Sequence, residues 1–346
     1  MKKVGIIAEF NPFHNGHKYI LDYARNELGA DQIIVAMSGD FMQSGIPCVI
    51  SKYERAKMAV SGGADLVLCM PQVASSASAE TFARCGVATL ARAGVDSIVF
   101  GAETDDITLF KRLAEVLSEE PQEYLDVLIE RLRGGESYPA ARENALISYL
   151  DGEIMGSIIS DFLEHPNNIL GIEYAKAIAK WDLDIELHPT LRQGCDHNDP
   201  VPGATTTPGH KMASGKAIRS ILTKKPFSFV KKQLIALMPI LAASSLVELY
   251  QSDMILFEED LSLMLHQRLV SMDDFSHYLD CGEDLSNKIL AHRDEYTDIR
   301  SFIDILKSKD LTHTRISRVL NHILLGIGEE DGKYLANHNY IQRNVG

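Results

Sequence analysis

The apolar residues of the first hundred positions follow two alternating patterns. Short continuous apolar runs predict buried strands over residues 3–8, 32–37, 64–70 and 95–100. Between these runs, apolar positions recur at helical spacing over residues 17–28, 52–61 and 76–92. Strands that alternate with helices in this way are typical of a parallel sheet covered on both faces. The pattern predicts an α/β fold with a doubly wound, Rossmann-like parallel sheet.

After residue 106 the pattern becomes almost wholly helical. A charged helical stretch covers residues 107–150, a helix over 170–181 and a strand over 183–192 return to the α/β pattern, and helices dominate beyond 227. Four segments are therefore predicted: the first part of an α/β core (1–106), a helical insertion (107–165), the second part of the core (166–224) and a C-terminal α-helical domain (225–346).

The first strand leads through a turn-rich loop into the first helix, in the sequence VGIIAEFNPFHNGH of residues 4–17. A helix start presents unpaired N–H groups and the positive end of the helix dipole to an anion. Gly16 allows close approach of the backbone to a ligand, and His14 and His17 are spaced to share one side of the first turn. Surface histidines or a partial metal site are the alternatives, but a zinc site needs three or four ligands and only Glu9 lies nearby. We predict a phosphate-binding loop.

Two further places lie where a doubly wound sheet binds nucleotides. Gly101 follows the predicted fourth strand, where a glycine lets a flat base or ribose pack on the backbone; a simple turn is the alternative, and on this residue alone it is favoured. Asn167 and Asn168 precede a predicted helix. One of them is expected to cap that helix, which leaves the other to bind a ligand.

A fourth place is the sequence KMASGKAIR of residues 211–219. Ser214 is predicted to cap a helix whose first turn carries Lys216 and Arg219. Cations at this end oppose the helix dipole, so a bound polyanion explains them better than helix stability does.

Charge is distributed unevenly along the chain. The formal net charge is −14, which argues against a nucleic-acid binder as a whole. Residues 200–247, however, contain no Asp or Glu and carry seven cations: Lys211, Lys216, Arg219, Lys224, Lys225, Lys231 and Lys232. The segment predicts a local anion-binding face, with a solvated helix surface as the alternative.

Composition indicates an ordinary globular protein. Apolar residues make up 45% and charged residues 24% of the 346 positions, and no apolar run approaches the roughly 18 residues of a membrane span. No signal peptide is expected at the N-terminus. The five cysteines form no C-x-x-C pair, which fits a reducing cytoplasm. A cytoplasmic protein that does not contact membranes is expected.

The stretch 4–17 resembles the H-x-G-H signature of the HIGH-motif nucleotidyltransferase superfamily, and residues 211–219 resemble its second signature, although Gly215 and Lys216 replace small hydroxylated residues. The motifs IAEFNPFHNGH, SKYERAKMA, GADLVLCMP, VDSIVFGAE and PNNILGIEY follow in order. Their order and spacing resemble the bacterial tRNA(Met) cytidine acetate ligases over roughly residues 3–327.

This resemblance implies a reaction and a set of ATP contacts. Family members activate acetate with ATP to acetyl-adenylate and transfer the acetyl group to N4 of the wobble cytidine of elongator tRNA(Met). ATP is then a substrate, with Mg²⁺ bridging its phosphates, and no tightly bound metal or prosthetic group is expected. The implied ATP contacts are Ile7, Ala8, Glu9, Phe10, Asn11, Pro12, Phe13, His14, Asn15, Gly16, His17, Lys18, Tyr19, Ile20, Gly101, Asn167, Arg192 and Ser214.

Roles follow for the charged residues. His14 and His17 are expected to hold the phosphates, and Lys216 and Arg219 the leaving pyrophosphate. The tRNA is expected on the basic face, at Lys211, Lys224, Lys225, Lys231 and Lys232. No residue stands out as a general base among Glu9, Asp40 and Glu103, and Cys48 is expected to be an inert buried thiol.

Three other functions share these features in part. A small-molecule nucleotidyltransferase of the same fold needs neither the basic face nor the long helical domain. A non-catalytic RNA- or nucleotide-binding module does not need His14, Gly16, His17 and Arg219. An aminoacyl-tRNA synthetase is usually longer than this chain and has an amino-acid pocket, which is not evident here.

Overall fold

The computed structural model describes residues 1–192, 212–223 and 226–337. The predicted tRNA contacts Lys211, Lys224 and Lys225 lie outside the described residues. Residues 193–210, which follow the last predicted strand, lie outside them as well. Everything below concerns the described part of the chain.

The core is a parallel sheet of five strands in the order β3-β2-β1-β4-β5. The strands are β1 (Lys3–Ala8), β2 (Gln32–Met37), β3 (Leu66–Cys69), β4 (Ser97–Ala102) and β5 (Glu186–Leu191). The doubly wound prediction is therefore confirmed. The fourth strand begins and ends two residues later than predicted, which places Gly101 inside β4 and not after it.

Strand β1 lies at the point where the strand order reverses. It pairs with β2 along its whole length, from Lys3 opposite Gln32 to Ala8 opposite Met37. Its pairing with β4 covers only Val4 opposite Ser97 and Gly5 opposite Ile98. The carboxyl ends of β1 and β4 are thus unpaired with each other, and a crevice opens between them where doubly wound sheets bind ligands.

Helices cover both faces of the sheet. One face packs on α1 (Asn15–Asn26), α2 (Lys52–Ser61), α10 (Gly215–Leu222), α11 (Phe227–Leu237) and α12 (Ile240–Gln251). The other packs on α3 (Gln72–Ser75), α4 (Ala79–Arg92), α5 (Ile107–Glu119), α6 (Gln122–Arg133), α7 (Tyr138–Tyr149), α8 (Gly156–Glu164) and α9 (Pro166–Lys180). The helix predicted over 76–92 begins later, at Ala79, and the short helix α3 precedes the predicted range; α1 and α9 begin earlier than predicted.

The segment between β4 and β5 is helical, as predicted, and it packs directly on the sheet. The ring of Phe110 in α5 lies 5.4 Å from that of Phe100 in β4 and 4.8 Å from that of Phe162 in α8. These aromatic side chains belong to the same hydrophobic cluster as the strand residues Ile34 and Ile98. The four-segment division of the chain stays a prediction, but this segment shares its core with the sheet.

Four of the remaining helices form a third hydrophobic cluster: α13 (Ser262–Val270), α14 (Gly282–His292), α15 (Ile299–Leu306) and α16 (His313–Leu325). Helix α17 (Glu329–Asn337) follows them and contacts α3. We call α13–α17, with the 3₁₀ turn Glu258–Leu261 before them, the helical unit. Helices α11 and α12 lie before it and pack with the sheet instead.

The helical unit is attached beside the crevice. The fully buried imidazole of His322 has Nε2 2.8 Å from the Ser76 carbonyl oxygen and Nδ1 2.8 Å from that of Leu279. At Gly45, a Cβ atom would lie 2.6 Å from the backbone nitrogen of Arg318, so the loop after β2 touches the middle of α16. Across the described ranges, no helix has the length and apolar character needed to cross a membrane.

Candidate nucleotide-binding site

Two imidazoles form the start of α1. His14 is the N-cap residue, and its Nδ1 accepts a hydrogen bond of 3.1 Å from the Gly16 N–H. The Nδ1 of His17 accepts one of 3.3 Å from the His14 N–H, which completes a reciprocal capping pair. Because each Nδ1 accepts, a neutral ring carries its proton on Nε2. The predicted pair of imidazole donors is therefore compatible with this geometry.

The His17 ring is held by aromatic neighbours. It stacks on His14 with ring centroids 3.7 Å apart, and Phe10 and Phe13 lie 4.8 Å and 5.8 Å away. Removal from water, with smaller electrostatic contributions from His14 and Arg192, lowers the pKa of His17 well below 6.5. At neutral pH the ring is uncharged, so His17 offers a hydrogen bond and not a positive charge.

This electrostatic setting gives a spectroscopic prediction. The His17 ring is expected to remain neutral, with the proton on Nε2, in the ligand-free protein at pH 6, because burial disfavours the imidazolium form. Nitrogen-15 NMR of the imidazole nitrogens measures both the charge and the tautomer, and a His17→Asn variant assigns the signals. A ring that is half protonated near pH 6.5, or protonated on Nδ1, would contradict this description.

Helix α10 joins the opening loop from a point more than two hundred residues later. Its N-cap is Ser214, as predicted, whose Oγ accepts a hydrogen bond of 3.1 Å from the Ala217 N–H. Arg219 Nη1 donates a bond of 2.7 Å to the Asn11 carbonyl oxygen. A Cβ on Gly215 would lie 3.0 Å from the same oxygen. The two predicted cations differ in exposure: Arg219 is partly buried in the site, whereas Lys216 is exposed.

Glu103 ties together the contacts on the other side of the crevice. Asn167 Nδ2 donates a hydrogen bond of 3.0 Å to Glu103 Oε1, and Arg192 Nε lies 3.7 Å from the same oxygen. The Asn168 side chain accepts from the Glu103 N–H and donates to the Phe162 carbonyl oxygen. The prediction that an asparagine caps α9 is wrong, because the helix begins at Pro166 and both side chains bridge to neighbouring segments.

Gly101 lies on the floor between the two sides. A Cβ at this position would meet Arg192 Cγ and Ile20 Cδ1, each at 3.3 Å. A larger residue would push these side chains into the crevice. The physical reason for a glycine here is therefore the close packing of β4 against α1 and against the residue that follows β5.

A single cavity of about 1070 Å³ joins these groups. Most of the predicted ATP and catalytic residues line it: Ile7, Ala8, Glu9, Phe10, Asn11, His14, Gly16, His17, Tyr19, Ile20, Gly101, Asn167, Arg192, Ser214, Lys216 and Arg219. Its volume is at the upper end of the range typical of small-molecule sites.

Four residues of the predicted contact range lie outside the cavity lining. Pro12 and Phe13 are buried beneath the loop. The Asn15 amide donates to the Ala236 carbonyl oxygen at 3.3 Å, and the Lys18 ammonium pairs with Asp22 one turn along α1. These four side chains support the loop and do not face the ligand space. The predicted tRNA contacts Lys231 and Lys232 are exposed on α11 and also lie outside the lining.

The cavity has walls that sequence patterns did not reveal. The loop after β2 contributes Met42, Gln43, Ser44, Ile46 and Pro47. The helical unit and the residues before it contribute Leu256, Phe257, Glu258, Glu259, Arg300, His313, Thr314 and Ser317. We call this second group the helical wall. No motif marks its residues, because each belongs to an ordinary amphipathic helix or its connection.

The described residues give little support to covalent catalysis by a thiol or to a metal site built from protein side chains. Burial raises the pKa of the Cys48 thiol to about 12, which agrees with the predicted inert thiol. No group of three His, Cys, Asp or Glu side chains in the described ranges is placed to hold a metal ion. The walls instead offer imidazole, guanidinium and backbone N–H donors, a set suited to phosphates.

Comparison with known proteins agrees with this geometry. The family model HIGH Nucleotidyl Transferase matches residues 1–344. The tRNA(Met) cytidine acetate ligase of Acetivibrio thermocellus is 34% identical over 335 residues, 96% of this chain and 79% of that protein. The enzyme of the same name from Kosmotoga olearia is also 34% identical, over 94% of this chain and 75% of that protein.

Two solved structures have the same fold. Apo TmcAL of Thermotoga maritima superposes with a TM-score of 0.89 at 31% identity, covering 97% of this chain and 78% of that one. The same protein bound with alpha-thio ATP gives a TM-score of 0.86, with the same identity and coverage. The chain therefore belongs to the HIGH nucleotidyl transferase family, among the tRNA(Met) cytidine acetate ligases.

Proposed function

We propose that this protein activates acetate with ATP and transfers the acetyl group to N4 of the wobble cytidine of elongator tRNA(Met). The observation that carries the proposal is the meeting of the His14–His17 capping pair with Arg219 in one cavity. These groups come from separate parts of the chain, and together they surround a space with donors suited to a nucleoside triphosphate. The acceptor, the cytidine of tRNA(Met), is proposed from the names of the relatives.

In the first step acetate attacks the α-phosphorus of ATP, and pyrophosphate leaves. Negative charge develops on the phosphate oxygens, and the start of α1, the imidazole Nε2–H groups and Arg219 would stabilise it. Lys216 would reach the leaving group from the rim of the cavity. Magnesium would arrive on the ATP and keep most of its ligands from phosphate and water.

The nucleoside of ATP would lie towards Gly101 and Asn167. Glu103 holds Asn167 and Arg192 in place on that side. The acceptor base would enter from the opposite side, past the loop after β2 and the helical wall. Exposed Lys231 and Lys232 would contact the tRNA backbone, so tRNA binding is expected to weaken steeply with salt.

One assay tests the proposal. Purified protein is incubated with ATP, labelled acetate and elongator tRNA(Met), and the nucleosides are analysed by mass spectrometry. N4-acetylcytidine is expected only when all three substrates are present, and a transcript with uridine at the wobble position is the matched control. Release of pyrophosphate with a different acid or nucleotide acceptor, and no N4-acetylcytidine, would favour a small-molecule nucleotidyltransferase instead.

A further inference from the structure

Three carboxylates near the carboxyl ends of the strands differ in what they contact. Asp40 accepts a hydrogen bond of 2.8 Å from the Lys52 N–H and lies 3.2 Å from the Lys52 ammonium. Oε1 of Glu103 contacts Asn167 and Arg192, and its Oε2 is buried without a hydrogen-bond partner among the described residues. Neither carboxylate lines the cavity. Of the three, only Glu9 lines it.

Glu9 is anchored at one oxygen only. Its Oε1 accepts a hydrogen bond of 2.6 Å from the Gln43 N–H, whereas the described residues make no hydrogen bond to Oε2. Its backbone is also held, because Arg55 Nη1 donates a bond of 2.6 Å to the Glu9 carbonyl oxygen. The carboxylate thus has a defined position and one oxygen available to a ligand.

Glu9 lies between the groups proposed to bind the phosphates and the proposed entry side of the acceptor base. Glu9 directly follows β1 and precedes the loop that carries His14, so it is close to the phosphate donors. Its partner Gln43 belongs to the loop after β2, and that loop leads at Gly45 to Ser317 of the helical wall. A base that entered along this loop would meet Glu9 before it met the phosphates.

The surroundings of Glu9 have opposing effects on the pKa of its carboxyl group. Removal from water raises the pKa of the Glu9 carboxyl, against the lowering effects of the Gln43 hydrogen bond, Arg219 and Arg55. Cys48 and Tyr174 also face it, and burial keeps both in their neutral forms. A carboxylate with a raised pKa is a stronger base, and enzymes tune Glu in this way for proton transfer.

We propose that Glu9 is the general base of the acetyl-transfer step, an inference that rests on the proposed function. The exocyclic N4 of cytosine attacks the acyl carbon of acetyl-adenylate, and a C–N bond forms. The bond from the acyl carbon to the phosphate oxygen breaks, and AMP leaves with that electron pair. The proton lost by N4 moves to Glu9 Oε2. Cytosine N4 is a poor nucleophile, so removal of this proton accelerates its attack.

The test separates the two steps. Glu9→Gln keeps an oxygen for the Gln43 N–H but removes the base. Single-turnover transfer from preformed acetyl-adenylate to tRNA is expected to fall by about 10²- to 10⁴-fold, and by a much larger factor than acetate-dependent exchange of pyrophosphate into ATP. Asp40→Asn is the matched control, and both of its rates are expected to stay within about threefold.

The pH dependence of the transfer rate distinguishes a general base at Glu9 from a purely structural role. Wild-type transfer is expected to rise with pH as Glu9 loses its proton, and the Glu9→Gln profile is flat over the same range. Glu9→Asp keeps a carboxylate on a shorter side chain, so its transfer rate is expected to be lower but to retain the pH dependence. This variant provides the test if Glu9→Gln folds poorly. Equal losses in exchange and transfer, or unchanged transfer, would overturn the assignment. Absent exchange in the wild type would instead overturn the proposed function.

Discussion

Replacement of Arg219 by glutamine is expected to lower the rate of acetate-dependent pyrophosphate exchange by about 10²- to 10³-fold, the loss typical of one preorganised donor in the transition state. The guanidinium is partly buried and held by its hydrogen bond to the Asn11 carbonyl oxygen. Because it is already in place before the reaction, it can meet developing negative charge without reorganising. Exchange of labelled pyrophosphate into ATP measures this step without tRNA.

The matched comparison is Lys216→Gln, which removes a cation from the same helix. The Lys216 side chain is exposed, and its charge is screened by solvent, so a loss of less than about tenfold is expected. Arg133→Gln, on the exposed surface of α6, controls for removal of a cation far from the cavity. A larger loss for Lys216 than for Arg219 would contradict the roles inferred from the geometry.

Truncation of Phe110 to alanine is expected to lower the free energy of unfolding by about 3–5 kcal/mol. The side chain is fully buried between Phe100 of β4 and Phe162 of α8. Its ring also approaches Gly171 of α9, where a Cβ would lie 2.4 Å from it. Removal of the ring leaves a cavity where the sheet meets three helices. Urea denaturation followed by circular dichroism measures the loss.

Phe229→Ala is the control for this prediction. Phe229 is 41% exposed on α11, so its truncation removes little buried surface, and a change below about 1 kcal/mol is expected. If the helices between β4 and β5 were an independent insertion, Phe110→Ala would unfold them alone, in a separate transition. A single cooperative transition is expected because they share a core with the sheet.

Local patterns were sufficient to predict the layered core. The runs that became β1 and β2 were apolar and bounded by turn residues, so strand type and parallel order followed from burial and alternation. Boundaries were less secure. The apolar pattern predicts a start of α1 at His17, whereas the helix begins at Asn15, because a histidine N-cap is outside the usual Ser, Thr, Asp and Asn set.

The candidate site could be predicted only where a motif marked it. His14, His17 and Arg219 carried a recognisable spacing, and the structure brings all three to one cavity. The helical wall could not be predicted, since its side chains meet the cavity through long-range packing of α15 and α16. The sequence does not predict the full roles of Asn167 and Asn168. An asparagine before a helix can either cap that helix or bond to a distant segment, and the sequence is the same in both cases.

The attachment of α10 to the opening loop has a consequence for the order of events on the ribosome. The last strand of the sheet ends at Leu191, so a nascent chain of that length already contains every strand of the core. It lacks Arg219 and the helical wall, and both are needed to enclose the ligand space. Domains generally fold as units during synthesis. The strands are therefore all present well before the pocket can close, because its last lining residue is Ser317.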